Sequence, residues 1–230
     1  MSATITLVTA QADVAPLGES RWPPALAVVT FMALNIALRV WLPRQGAVRV
    51  PWLLPALETV LLLVLLVSAS RGASRRANWF HNVALALVSL FVVAALWATA
   101  LLIYDLIRGS GVTNSPTKLL ASGGLTWLGN NLAFGLLYWL IDTGGPRARA
   151  RGYEPVDFAF TQQLNPELVP AGWRPVFLDY LHLGFTNATA FSPTDVMPLT
   201  LRAKYAMVLQ STVALALFGL IVARAVNAFT

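Results

Sequence analysis

Between Asn82 and Tyr104 the chain carries not one charged side chain. A helix over this stretch is longer than the about 20 apolar residues that cross the hydrocarbon core of a bilayer. One such run also fits the buried core helix of a soluble protein. Here the pattern recurs, with apolar runs at about 24–42, 52–69, 82–107, 117–141 and 199–229. Composition decides between the two readings. Only 11% of the residues are charged, 57% are hydrophobic and the mean hydropathy is +0.66. Soluble domains carry roughly 25% charged residues, and a chain of this size could not cover its surface with so few. The sequence therefore predicts an all-α, multi-pass integral membrane protein, with the lipid bilayer as its first partner.

The runs divide the chain into an N-terminal tail (1–22), a three-helix membrane region (23–108) and a C-terminal module (117–230). The tail lacks the basic start of a signal peptide. Trp22 and Trp41 flank the first run, at the headgroup level that amphipathic rings favour. Asn35 and Arg39 share one face of it. The loop that follows is short, so the second helix is an antiparallel neighbour, and Glu58 inside it is within reach of Arg39. Intramembrane charges usually pair, so Arg39 and Glu58 are expected to form a structural ion pair; a proton or solute path is the other reading. The fourth run carries Gly123, Gly124, Gly129, Asn130, Asn131 and Gly135, which suits close helix packing with amides bonding across it. Residues 142–174 are the one long polar connection, rich in Arg, Pro and Gly, with aromatics that argue for partial order against the membrane surface.

The stretch from Phe177 to Asn227 departs from the simple pattern. Residues 175–190 rise only about 24 Å as a helix, short of the approximately 30 Å core. A hydroxyl-rich patch follows, and then a long apolar helix. Pro198 would break a helix running straight through it, so the last helix is expected to begin near Thr200, leaving 191–199 irregular. Irregular backbone at membrane depth is tolerated only when buried in protein or lining water. The expected architecture is thus five transmembrane helices plus one short re-entrant helix. The alternatives are an ordinary surface turn capped by Ser192, Pro193 and Asp195, or a sixth crossing.

The order T-A-F-S-P-T-D-V-M-P-L-T, Thr189 to Thr200, resembles the filter of tetrameric potassium channels, T-V-G-Y-G-D followed by P-V-T. The resemblance covers 117–229 and implies an outer helix, a pore helix over 179–188, a filter-like turn and an inner helix. It further implies a homo-oligomer, a tetramer, and a monovalent cation as the permeant species. The ion pathway would be lined by Thr186, Asn187, Thr189, Phe191, Ser192, Thr194 and Asp195. The glycines of that filter are absent and Pro193 is inserted, which implies a wider and less selective path. The whole chain also looks like uncharacterised bacterial inner-membrane proteins. Channel orientation would place the loops holding Arg71, Arg75, Arg76 and Arg147, Arg149, Arg151 outside, whereas positively charged loops favour the cytoplasm.

Other function classes have thinner support. There is no cysteine and there are two histidines, His81 and His182, so no metal or other cofactor is expected. The +6 net charge reads as arginines facing anionic headgroups and not as a nucleic-acid surface. No catalytic motif occurs, and an enzyme is not expected. Asp179 and His182, three apart, are the best catalytic-looking pair, but that spacing more often serves a helix cap. A non-conducting accessory protein, or a small-solute transporter using Arg39 and Glu58, stays open.

Overall fold

The computed structural model describes residues 19–41, 53–70, 75–108, 115–152, 156–190 and 195–229. It is mostly helical. Five long helices, α1 (Trp22–Trp41), α2 (Leu53–Ser70), α3 (Arg75–Arg108), α4 (Pro116–Ile141) and α8 (Leu201–Phe229), form a bundle. Two very short helices, α5 (Pro146–Ala150) and α6 (Thr161–Leu164), lie in the polar connection, and α7 (Phe177–Ala190) follows it. The all-α expectation needs one amendment. Phe158–Phe160 (β1) pairs antiparallel with Val196–Pro198 (β2), with Ala159 opposite Met197. Two three-residue strands form because the backbone on either side of α7 is brought together and must pair its polar groups.

The bundle is organised around α4, which packs against α1, α3, α7 and α8. Its sequence suits a central position. It has no single apolar stripe, and small and amide residues recur around it, so it is buried on every side from Gly129 to Leu136. Two glycines set its closest contact. A Cβ on Gly135 would meet the Leu181 backbone at 3.3 Å, and one on Gly184 would meet the Asn131 carbonyl oxygen at 3.4 Å. The α4 and α7 backbones therefore touch, as small residues permit. Around them the core is aromatic and aliphatic: Phe31 meets Phe91 at 5.7 Å and Trp139 meets Phe177 at 5.9 Å between ring centroids. A satellite cluster of Leu102, Leu106, Leu119 and Leu217 closes the far end.

Contacts fix the directions. Tyr180 reaches Asp142 while Phe185 reaches Trp127, so α7 runs antiparallel to α4. Arg202 reaches the Ile141 carbonyl and Gln210 reaches Asn131, so α8 does the same. Both helices thus start at the C-terminal end of α4. The α7 helix has 14 residues, a rise of about 20 Å, against 29 for α8. After α7, Asp195 lies back beside His182 and β2 is at the starting end.

Two helices are long and apolar enough to cross a membrane, Asn78–Arg108 within α3 and Leu201–Arg224 within α8. The third apolar run begins its helix at Arg75, earlier than the apolar pattern suggests. The last helix begins at Leu201, one residue after the start expected from Pro198. Thr200 is its N-cap, accepting from the Ala203 N–H at 3.4 Å.

Candidate functional site

The helix α7 is held at its start by a cluster of buried acids on the connection from α4. At the end of α4 the chain turns sharply. Thr143 has φ 55°, an uncommon value for a β-branched residue, and Gly144 and Gly145 continue with φ 73° and 92°. Asp142 and Asp157, both fully buried, stabilise this turn. Asp142 Oδ1 accepts from the backbone N–H groups of Asp157 (2.9 Å) and Phe158 (3.2 Å) and from the Thr143 hydroxyl (3.2 Å). Its Oδ2 accepts from the Tyr180 hydroxyl, which ties α4 to the first turn of α7. Asp157 Oδ2 accepts from the Thr143 N–H at 3.1 Å and from the Arg202 guanidinium. Its Oδ1 accepts from the Thr200 hydroxyl (2.5 Å) and Arg202 Nε (2.6 Å). Burial alone would raise the Asp157 pKa, but the hydrogen bonds from Arg202, Thr200 and Thr143 and the Arg202 charge outweigh it, so the carboxyl lies below its ordinary range.

A second anchor comes from the N-terminus. Glu19 Oε1 accepts from Trp139 Nε1 and from the Phe177 N–H, each at 2.7 Å, and its Oε2 lies 3.4 Å from Arg149. Burial pushes the Glu19 carboxyl up, and Arg149, Trp139 and Phe177 offset part of that rise. Arg149, 7% exposed, donates to the carbonyls of Trp139 (2.8 Å) and Asp142 (2.9 Å) and stacks on Tyr180 at 4.8 Å. It caps the last carbonyls of α4, where a cation is also favoured by the helix dipole. Three segments far apart in sequence therefore meet at the top of α7.

Deeper in the bundle an amide network joins α4, α7 and α8. Gln210 Oε1 accepts from the Tyr138 hydroxyl (2.7 Å) and Asn187 Nδ2 (2.8 Å), and Gln210 Nε2 donates to the Gly184 carbonyl (3.0 Å). Asn187 Nδ2 also donates to the Met207 carbonyl at 2.9 Å. Nearby, Asn130 Nδ2 donates to the Thr99 hydroxyl at 2.8 Å, linking α4 to α3. Buried polar groups are nearly always bonded in this way.

The residues expected along an ion path are placed as follows. Asn187 is 2% exposed and its amide faces the protein, so within one chain it does not line an outer surface. The hydroxyls of Thr186 and Thr189 donate to carbonyls of their own helix, at His182 (3.1 Å) and Phe185 (2.8 Å). Asp195 Oδ2 lies 3.3 Å from His182 Nδ1, and both side chains are well exposed. Phe191, Ser192 and Thr194, with Pro193, lie outside the described residues. Asp179 caps α7: its Oδ2 accepts from the Val176 N–H at 2.7 Å. The Asp179–His182 pair thus separates into a cap and a partner of Asp195. Glu58 is fully buried and accepts from Asn35 Nδ2 at 2.7 Å. The side chain of Arg39 lies outside the described residues, and so does the ionic half of the Arg39–Glu58 expectation. No group of His, Asp and Glu suited to a metal occurs among the described residues. Sequence reasoning missed Asp157 and Glu19 and ranked Asp142 only among scattered acids; each is an isolated acid with no motif around it.

Compared with protein-family models, curated proteins and solved structures, the chain has no match in any of the three.

Proposed function

We propose that this is an inner-membrane protein with five crossings (α1, α2, α3, α4 and α8) and that it forms a channel-like cation path as a homo-oligomer, a tetramer by the resemblance of its C-terminal half. Exposed apolar surface supports the membrane reading. Only 39% of the α3 span and 22% of the α8 span are buried within the chain. A core helix of a soluble protein would be mostly buried, whereas α8 exposes Tyr205, Val208, Leu215, Phe218 and Val222. Lipid is the solvent that tolerates such a surface.

The observation that carries the channel reading is the polar edge of the re-entrant helix. His182 and Asp195 are 60% and 38% exposed, and Thr189, further along the same helix, is exposed too. Ionisable groups at membrane depth face water or a partner and not lipid. Packing copies of the chain around this edge would give both, with α7 toward the axis and α8 at the subunit contacts. Side-chain oxygens of Thr189, Ser192, Thr194 and Asp195 would then meet a weakly hydrated monovalent cation. Reconstituted in liposomes, the protein should pass potassium, and Asp195→Asn should change the flux. A tight monomer with no flux would sink the proposal.

One observation favours a non-conducting accessory role. Thr186, Asn187 and Thr189 are all satisfied by protein groups and need no ion. On that reading Thr189→Val and Thr194→Val alter stability alone, which the same liposomes decide.

A further inference from the structure

Glu58, the acid of α2, is bonded unlike the other buried acids of this protein. It is fully buried, and its face of the helix continues into buried Leu61 and Leu65. Its Oε1 accepts from Asn35 Nδ2 on α1 at 2.7 Å. Its Oε2 is buried as well and has no hydrogen-bond partner among the described residues. Asp142 and Asp157 each accept from four donors, and Asp157 also meets the Arg202 charge. Glu58 meets one neutral amide.

An ionised carboxyl taken out of water is strongly disfavoured unless charge and hydrogen bonds are built around it, and otherwise the group binds a proton. The neighbours of Glu58 supply little. The helices α1 and α3 pack against α2. Their ionisable side chains are Arg39 on α1 and Arg75, Arg76, His81, Tyr104, Asp105 and Arg108 toward the two ends of α3. Those that are described make no bond to Glu58; the side chains of Arg39, Arg75 and Arg76 lie outside the described residues. A metal cation fits poorly. Hard cations gather about six oxygen ligands, whereas here one carboxyl oxygen is open and the backbone carbonyls on either side are those of helices, bonded along their own chains. A proton needs a single lone pair. The neutral acid leaves one hydroxyl unpaired, which is a smaller loss than an unpaired buried charge.

We infer that Glu58 is a proton-binding site between α1 and α2: at neutral pH the carboxyl stands as the neutral acid, with Asn35 donating to Oε1 and the proton on Oε2. The two helices are then joined by a neutral hydrogen-bonded pair, not by an ion pair. The site rests on α1 and α2 alone and is independent of whether α7 lines an ion path.

The test uses the full chain reconstituted in liposomes at neutral pH, with two readouts of the proton. Infrared spectroscopy should show the C=O stretch of a protonated carboxyl in the unchanged protein and its loss in Glu58→Gln. Asn35→Ala removes the donor to Oε1 and should move that band to higher frequency. A lipid-soluble carbodiimide takes the acid proton on its nitrogen while the carboxylate oxygen adds to its central carbon, so it labels buried acids that carry a proton. Peptide mass mapping should place the adduct on Glu58, with no protection by sodium. The label needs no variant, so it decides the matter even where a substitution prevents folding. Protection by sodium would make the site one for a metal cation and overturns the inference. So does a Glu58→Gln spectrum identical to that of the unchanged protein with no adduct on Glu58, the result expected where Arg39 or another cation holds the carboxylate ionised.

Discussion

Replacing Asp157 by asparagine changes one atom and should loosen the junction where α4, α7 and α8 meet. Each carboxylate oxygen accepts from two donors: Oδ1 from Thr200 and Arg202 Nε, Oδ2 from the Thr143 N–H and the other arm of Arg202. An amide has one oxygen. Whichever way it turns, its NH2 faces two donors, and one of them belongs to Arg202. A hydrogen bond to a charged group contributes about 1.5–3 kcal/mol. The Arg202 side chain is 57% exposed and water replaces part of its loss, so the lower end, about 1.5 kcal/mol, applies there. With the NH2 toward Thr143 the second loss is the buried Thr143 N–H, at about 1–3 kcal/mol; toward Thr200 the hydroxyl turns to accept from it. The total is about 1.5–3 kcal/mol, or roughly ten- to a hundredfold in the folding equilibrium. Denaturant titration of the detergent-solubilised protein, followed by tryptophan fluorescence, measures it. Arg202→Gln leaves the carboxylate buried with neutral donors and should cost a similar amount. The double variant should then cost at least 1 kcal/mol less than the sum, because both changes break one interaction. A loss within about 0.5 kcal/mol of zero for Asp157→Asn, or simple additivity in the pair, would refute the assignment of Asp157 as the anchor.

The same carboxyl predicts a pH response. Its folded pKa is below the unfolded value of about 3.9, so its stabilisation is complete above that pH and is lost as pH falls through the folded value. Asp157→Asn should lack this acid limb in a series of melts from pH 6 downward. Glu19 acts in the opposite sense, since its pKa is raised and the folded state gains from its protonation; Glu19→Gln should flatten the fall in stability as pH rises out of the ordinary carboxyl range. In the amide network, Gln210→Met removes the oxygen shared by the Tyr138 hydroxyl and the Asn187 amide, leaving them the Ala206 and Met207 carbonyls, and should cost roughly 1–3 kcal/mol in the same titration; no loss would mean that the network is not formed. Gly135→Leu drives a side chain into the α7 backbone at Leu181 and should cost about 1–3 kcal/mol or more, with faster proteolysis of the 142–174 connection; an unchanged melt would remove the close α4–α7 contact.

Asp142, Asp157 and Glu19 show where reading the sequence stops. Each is an acid in a polar stretch, and nothing in its neighbours distinguishes it from Glu167, which is exposed. Their partners lie up to 158 positions away, as Glu19 and Phe177 do. Asn187 is the converse case. Its polar surroundings in sequence suggest a path-lining amide, but one helical step decides whether it faces Gln210 or the outside. Asp179 was legible, because a helix cap is a contact between neighbours in sequence.

By itself the sequence determined which stretches form the long helices, the half-length of α7 and the break before α8 at Pro198. These follow from local requirements: an apolar run must satisfy its own backbone by forming a helix, and proline ends one. The tertiary structure alone decided which ends meet. It brought Asp142 and Asp157 under α7 and turned Asn187 inward. Those placements depend on which helix faces pack on α4, and packing is set by shape across the whole bundle, not by the residues adjacent in the chain.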